Sequence, residues 1–238
     1  MLFGKKQYTK MSRPQMISEK SPTAYVEAYK DLRTNFKFAA LNGKKRKIII
    51  TSTLQNEGKS SVAVNLALAL AQTGSRVLLV DGDLRNPSLH RYLGMSAAGY
   101  GLSSLLSGGC CVGDCLLKSQ YGFDVIPGGP VPPNPAELIG CENMKNLLDV
   151  AAANYDYVLC DTPPVGVITD AAALSPLCDG VLFVIRQGVA SKNQVREAVQ
   201  KLTLVDAQII GTVMNQYDIS QSESKDYTYY KPAVNNDD

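Results

Sequence analysis

The chain has 238 residues, 45% hydrophobic and 19% charged, which is enough apolar length for one large core and excludes a disordered or fibrous protein. Lys and Arg number 24 against 22 Asp and Glu, a formal charge of +2, so bulk charge alone draws the protein to neither nucleic acid nor lipid. His90 is the lone histidine, which excludes an HExxH zinc site, and no stretch reaches the roughly 18 apolar residues of a membrane span.

Residues 1–22 mix Lys, Ser, Pro and Gln without periodicity and read as an arm; its charged start lacks the apolar run of a secretory leader. Over 23–41, Ala24, Ala28, Leu32, Phe36 and Ala39 recur at helical spacing and predict an amphipathic helix with a basic outer face. Short apolar runs at 48–50, 77–80, 125–126, 158–160, 181–185 and 209–214 predict strands, with helical patterns near 59–73, 143–153 and 191–204 between them. Crossovers of this kind join parallel strands, so the expected class is α/β, a doubly wound and mostly parallel sheet. Residues 93–118, rich in Gly, Ser and Cys, predict irregular structure with one short helix at 102–106, and 127–135 a loop. A single domain is expected over 23–217. The remaining 218–238 carry five acids against two bases with no apolar periodicity and read as a mobile tail. The six cysteines follow no CxxC pattern; Cys160 reads as a buried thiol, and Cys110, Cys111 and Cys115 lack a fourth metal ligand.

The first chemical signal runs from Ile48 to Ser61, a strand entering a loop and then a helix, and ends in Gly58-Lys59-Ser60. Backbone N–H groups at such a helix start face an anion, the lysine adds a charge on the β- and γ-phosphates, and the serine hydroxyl can ligate Mg²⁺. The strict phosphate-loop pattern wants glycine where Thr53 stands, but Asn56 can take a left-handed conformation in glycine's place. Asp81-Gly82-Asp83-Leu84-Arg85 ends a second strand and Asp161-Thr162-Pro163-Pro164 a third. Both deliver carboxylates to strand C-terminal ends, where open α/β sheets bind ligands. Phosphoryl transfer needs metal-held phosphates and a carboxylate to accept the nucleophile's proton, and these residues supply both.

Taken together, the segments EAYKDLRTNF, EGKS, VLLVDGDLRNPSLH, PGGPVPPNPAELI and YDYVLCDTPP, with a tyrosine-rich C-terminus, resemble the bacterial tyrosine kinases of capsule and exopolysaccharide loci over residues 24–230. That resemblance implies a P-loop NTPase of the MinD/ParA-like superfamily. It implies that Asn56, Glu57, Gly58, Lys59, Ser60 and Ser61 bind ATP with Arg85 and Asn215, the last reading the adenine edge. It gives Mg²⁺ to Ser60, Asp81 and Asp161, and catalysis to Asp81, Asp83 and Lys59, with Asp81 as the base that draws the proton from a tyrosine hydroxyl. Tyr227, Tyr229 and Tyr230 have no core to fill, and the resemblance makes them acceptors modified in trans. Glu27-x-x-Lys30-x-x-Arg33 resembles an element that packs subunits into a ring. Lys30 departs from arginine and lacks its planar fork; read from the residues alone, the element is a solvated i,i+3 pair.

The implied partners are a transmembrane activator of the polysaccharide co-polymerase type, whose cytoplasmic tail holds an otherwise cytoplasmic kinase at the membrane, and a cognate tyrosine phosphatase; no nucleic acid is expected. Two other readings stand beside the kinase. A MinD/ParA-like ATPase switch would carry a lysine where Leu54 stands, and a non-catalytic regulatory subunit would bind ATP only.

Overall fold

The computed structural model describes residues 16–18, 20–41, 44–96 and 99–217. Seven strands form one sheet: β1 (Lys47–Ser52), β2 (Val77–Asp81), β3 (Leu117–Lys118), β4 (Asp124–Ile126), β5 (Tyr157–Asp161), β6 (Gly180–Arg186) and β7 (Ile209–Asn215). Their order is β3-β4-β2-β5-β1-β6-β7, and every neighbouring pair is parallel except the short β3–β4 edge. The expected parallel α/β sheet is therefore observed.

Nine helices are described: α1 (Thr23–Ala39), α2 (Lys59–Ala71), α3 (Leu89–Leu93), α4 (Leu102–Leu106), α5 (Val112–Cys115), α6 (Pro135–Ile139), α7 (Glu142–Asn154), α8 (Asp170–Leu174) and α9 (Lys192–Thr203). Because successive strand residues face opposite sides, the central strands feed two cores at once. Ile48 and Ile50 of β1, Val77 and Leu79 of β2 and Leu182 and Val184 of β6 pack toward α1, α2 and α3. Ile49, Leu78, Val80, Val181 and Phe183 pack toward α4, α6, α7, α8 and α9. The loops leaving β1 and β5 thus depart to opposite faces from adjacent strands, which opens a crevice between them at the sheet's C-terminal edge.

Helix α2 is buried on nearly every side, sandwiched between the sheet and α1. The face of α1 agrees with the sequence reading at Leu32 and Phe36 and differs at the first two turns. Ala24 and Ala28 are exposed, and the contact to the core is made by Tyr29, Leu32, Phe36 and Ala40, with the Phe36 ring edge-on to Tyr157 at 5.3 Å. Large aromatic rings displace the small alanines because they remove more apolar area from water per residue. The nominally irregular 93–118 region and the 127–135 loop also hold α5, β3 and the start of α6, and α3 and α8 were not foreseen at all. Helix α9 begins where expected, at a reciprocal cap in which Ser191 Oγ accepts from the Gln194 N–H and the Gln194 side chain accepts from the Ser191 N–H.

The revised face of α1 gives a direct test. Phe36→Ala should cost about 3–5 kcal/mol in urea unfolding by emptying a fully packed site. Ala28→Ser on the exposed face should change stability by less than about 0.5 kcal/mol; equal losses would return the buried face to the alanines.

Candidate active site

The loop joining β1 to α2 is wound by two left-handed residues, Asn56 at φ +63° and Gly58 at φ +90°. Asparagine tolerates that conformation where most side chains do not, as the sequence led us to expect. Position 58 favours glycine for its left-handed φ, and a Cβ there would also crowd the Asn215 amide. The loop then delivers Lys59, Ser60 and Ser61 to the first turn of α2, whose leading N–H groups have no partner within the helix.

Glu57 contributes to the loop through its carboxylate. Its side chain is fully buried and turned into the loop, where it accepts from the Leu54 N–H at 2.6 Å and the Arg186 N–H at 3.4 Å. Its side chain shapes the cradle from within. Asn215, at the end of β7, donates to the Glu57 carbonyl at 2.8 Å and accepts from the Gln216 N–H at 3.0 Å. Its amide therefore clamps the loop to the last strand, a role the adenine-reading expectation did not contain.

Three aspartates converge beside the loop. Parallel register sets Asp81 directly opposite Asp161 at the ends of β2 and β5. Both are fully buried. Asp81 Oδ2 accepts from the Ser88 and Leu89 N–H groups at 2.9 and 3.0 Å, while its Oδ1 has no hydrogen-bond partner. Asp161 has no partner on either oxygen. Burial, reinforced by Asp161, pushes the Asp81 carboxyl up to about 7. Burial also raises Asp161, to about 6, although the Lys59 charge draws it back. Asp83 is better satisfied: Oδ2 lies 3.3 Å from Lys59 Nζ and Oδ1 accepts from the Asn86 N–H. Burial opposes the Lys59 charge, but Asp161, Asp83 and Asp81 outweigh it and hold the ammonium protonated.

Two contributors were invisible in the sequence. Ser88 not only supplies a backbone donor to Asp81 but also donates its hydroxyl to Ser60 Oγ at 3.1 Å, joining the second strand's loop to the phosphate loop. Asp170 takes a two-pronged hydrogen bond from Arg85, Nε at 2.8 Å and Nη2 at 3.1 Å. No local pattern marks either residue, since their partners stand 28 and 85 positions away.

The orphaned oxygens of Asp81 and Asp161 test the fit of a divalent cation. Buried carboxylate oxygens without donors are costly unless a cation or a proton answers them, so these residues with the Ser60 hydroxyl suit Mg²⁺. Among the described residues no three His, Cys, Asp or Glu side chains close a metal cage by themselves. That suits an ion completed by phosphate oxygens and water. A cavity of about 770 Å³ lies elsewhere, lined by Leu105, Phe123, Leu147 and Ala151, and holds none of these groups. In the cysteine-rich segment the Cys111 thiol donates to Asp114 and Cys115 is buried.

On α1, Glu27 pairs with Lys30 at 2.7 Å and Arg33 donates to the Ala69 carbonyl at 3.3 Å. The i,i+3 pair is thus present within one chain. Tyr227, Tyr229 and Tyr230 lie outside the described residues, as does the whole 218–238 tail.

The AAA domain family model matches residues 46–216. The tyrosine-protein kinase YwqD of Bacillus subtilis (strain 168) is 35% identical over 231 residues, which span 97% of this chain and 96% of that protein. The kinase domain of Escherichia coli tyrosine kinase ETK matches with a TM-score of 0.76 at 33% identity, over 84% of this chain and 80% of that one. The septum site-determining protein MinD of Pyrococcus horikoshii OT3, solved with Mg-ADP, shares the fold at TM-score 0.62 and 25% identity, over 75% and 72% of the two chains. The chain belongs to the bacterial tyrosine-protein kinases, enzymes built on the P-loop NTPase fold.

The buried aspartates set a pH dependence of the ligand-free protein. Asp81 titrates near 3.8 when unperturbed and at about 7 when folded, so across that window the native state binds more protons than the unfolded one, and stability falls as pH rises. Asp161 adds to the same slope up to about 6. Urea unfolding at pH 5 and pH 8 without nucleotide or metal should show the loss, and Asp81→Asn should flatten it. Parallel pH slopes in wild type and variant would contradict the assignment.

Proposed function

We propose that this kinase transfers the γ-phosphoryl group of ATP, with Mg²⁺, to Tyr227, Tyr229 and Tyr230 of a neighbouring copy, and so regulates capsule or exopolysaccharide synthesis and export. The observation that carries the reading is the meeting of a phosphate loop with three buried aspartates, two of them with oxygens that no protein donor satisfies. ATP phosphates would lie along the start of α2, with Lys59 as the cation on the β- and γ-groups. Ser60, Asp161 and Asp81 would hold Mg²⁺, which when bound neutralises phosphate charge and orients the γ-group for in-line attack.

Asp81 suits the part of general base. Ser88 and Leu89 fix one of its oxygens, and the other, which has no protein partner, would face both the metal and a tyrosine hydroxyl. Asp83 restrains Lys59 and receives its charge. Arg85 would meet the phosphoryl group from the opposite loop. Asn215 would approach the nucleotide only through the loop it clamps.

The tail tyrosines carry the acceptor role by resemblance. A neighbouring subunit would present them, so assembly and chemistry are linked. Glu27, Lys30 and Arg33 would exchange their intrachain partners for a neighbour in a ring. No helix among the described residues is long and apolar enough to cross a membrane. Membrane association would come through the cytoplasmic tail of a transmembrane activator, and a tyrosine phosphatase would reset the tail.

Mass-spectrometric mapping of phosphotyrosine after incubation with ATP, Mg²⁺ and the activator's tail tests the reading. Lys59→Met should abolish labelling and weaken nucleotide binding, and Asp81→Asn should lower transfer by roughly 10² or more with a smaller loss of ATP affinity. A Phe replacement of all three tail tyrosines should remove the labelled sites while ATP still binds; undiminished phosphotyrosine would move the acceptors elsewhere.

Assembly has its own test. Glu27→Ala with Arg33→Ala should shift the sedimentation profile from oligomer to monomer and slow autophosphorylation at low protein concentration. An unchanged profile would leave these residues as a solvated intrachain pair.

A further inference from the structure

Asp170 opens α8 with its side chain 1% exposed, and among the described residues its carboxylate is met by Arg85 alone. The side-on fork uses Nε and Nη2. Nη1 makes no hydrogen bond to the described residues, and the Arg85 side chain remains 39% exposed. A buried carboxylate tied to a half-exposed cation is a poor way to gain stability, because desolvation of the acid offsets most of the attraction. The neighbours Ala171, Ala172 and Leu174 show that this turn packs well with apolar groups. What the fork does accomplish is directional: two parallel bonds fix the plane of the guanidinium, which a single contact or a point charge cannot do.

The charge balance of the site says why a fixed second cation is needed. Lys59 is already answered by Asp83 at 3.3 Å and sits in the field of Asp161 and Asp81. Incoming phosphates add further negative charge to a buried pocket, and Arg85 follows Asp83 by two residues on the same loop. We propose that Asp170 is a positioning residue for phosphoryl transfer: it holds Arg85 so that the free Nη1 edge meets the phosphoryl group as charge develops on it. The inference rests on the ATP-site reading above and deepens it, naming the group that orients the second cation.

The test compares single-turnover transfer and ATP dissociation constants in the full chain with ATP and Mg²⁺. Asp170→Asn keeps the shape and one acceptor oxygen but removes the charge and the symmetric fork. Transfer should fall about tenfold while ATP affinity changes less than about threefold, since a contact made mainly in the transition state acts on rate. Asp170→Glu should recover part of the rate. Arg85→Ala should lose at least as much as Asp170→Asn, and the double variant should lose no more than Arg85→Ala, because one residue acts through the other. Arg85→Lys keeps the charge without the fork and should mimic Asp170→Asn, which preserves the test if the buried substitution prevents folding. Wild-type rates in Asp170→Asn, or losses that multiply in the double variant, would overturn the proposal while leaving the ATP site intact. Wild-type transfer in Arg85→Ala would overturn the role of Arg85 and with it that of Asp170, whereas labelling that survives Lys59→Met would mean that the ATP site itself is wrongly placed.

Discussion

Two carboxylates forced together by strand register govern this molecule. β2 and β5 pair in parallel so that Asp81 faces Asp161, and both are sealed from solvent at the sheet's C-terminal edge. Like charges so placed oppose each other's ionisation, and the low polarity around them strengthens the opposition. The surrounding groups read as answers to that repulsion. Lys59 is held charged between the aspartates and α3 turns two N–H groups onto Asp81, while the Gly82 N–H ties the loop after β2 to the main-chain carbonyl of Asp161 at 2.7 Å. Gly82 itself is tight: a Cβ there would stand 3.0 Å from that carbonyl, so the loop after β2 lies against the end of β5.

The phosphate loop is rigid for related reasons. It is held from inside by Glu57, from β6 by the Arg186 backbone and guanidinium, and from β7 by Asn215. On the opposite side, the loop after β5 presses on it so closely that a Cβ on Gly166 would meet the Thr53 carbonyl at 2.2 Å. Lys201 of α9 secures that second loop by donating to the Val165 and Gly166 carbonyls. A cradle braced from β6, β7 and the loop after β5 can present its N–H groups without reorganising when an anion arrives, which is the condition for electrostatic stabilisation to act on rate.

What the sequence made legible divides along physical lines. The central strands were readable because both faces are buried and the apolar runs are continuous; the long helices were readable because three turns suffice to show a period. Of the five-residue helices only α4 was legible; α3, α6 and α8 are too short to show a period, and tertiary contacts decide them. The face of α1 was misread because alanine counts as apolar by composition although tyrosine buries more surface; Tyr29 is 7% exposed, whereas Ala24 and Ala28 lie outside. Lys59, Ser60, Asp81, Asp83 and Asp161, which the structure brings together, were legible as a cluster because local motifs at strand ends and at the start of α2 carry them. Glu57 stood inside the motif yet faces inward, for the motif specifies the loop's path and not the direction of each side chain. Ser88 and Asp170 were beyond reach, since their meaning arises only when distant loops meet.

The three aspartates are graded in how far the protein satisfies them. Asp83 has an ammonium and an N–H, Asp81 has two N–H groups on one oxygen and none on the other, and Asp161 has no donor on either oxygen. A fully answered carboxylate holds its neighbour in place, and it has little left to offer a reacting atom. One with a single open oxygen leaves one position for a reacting atom or a cation; one with both oxygens unanswered leaves more room for a cation. Identical side chains are thus set apart by burial and by the donors around them, and the function proposed above uses that grading: Asp83 would restrain the lysine, Asp81 would take the proton and share the metal, and Asp161 would hold the metal.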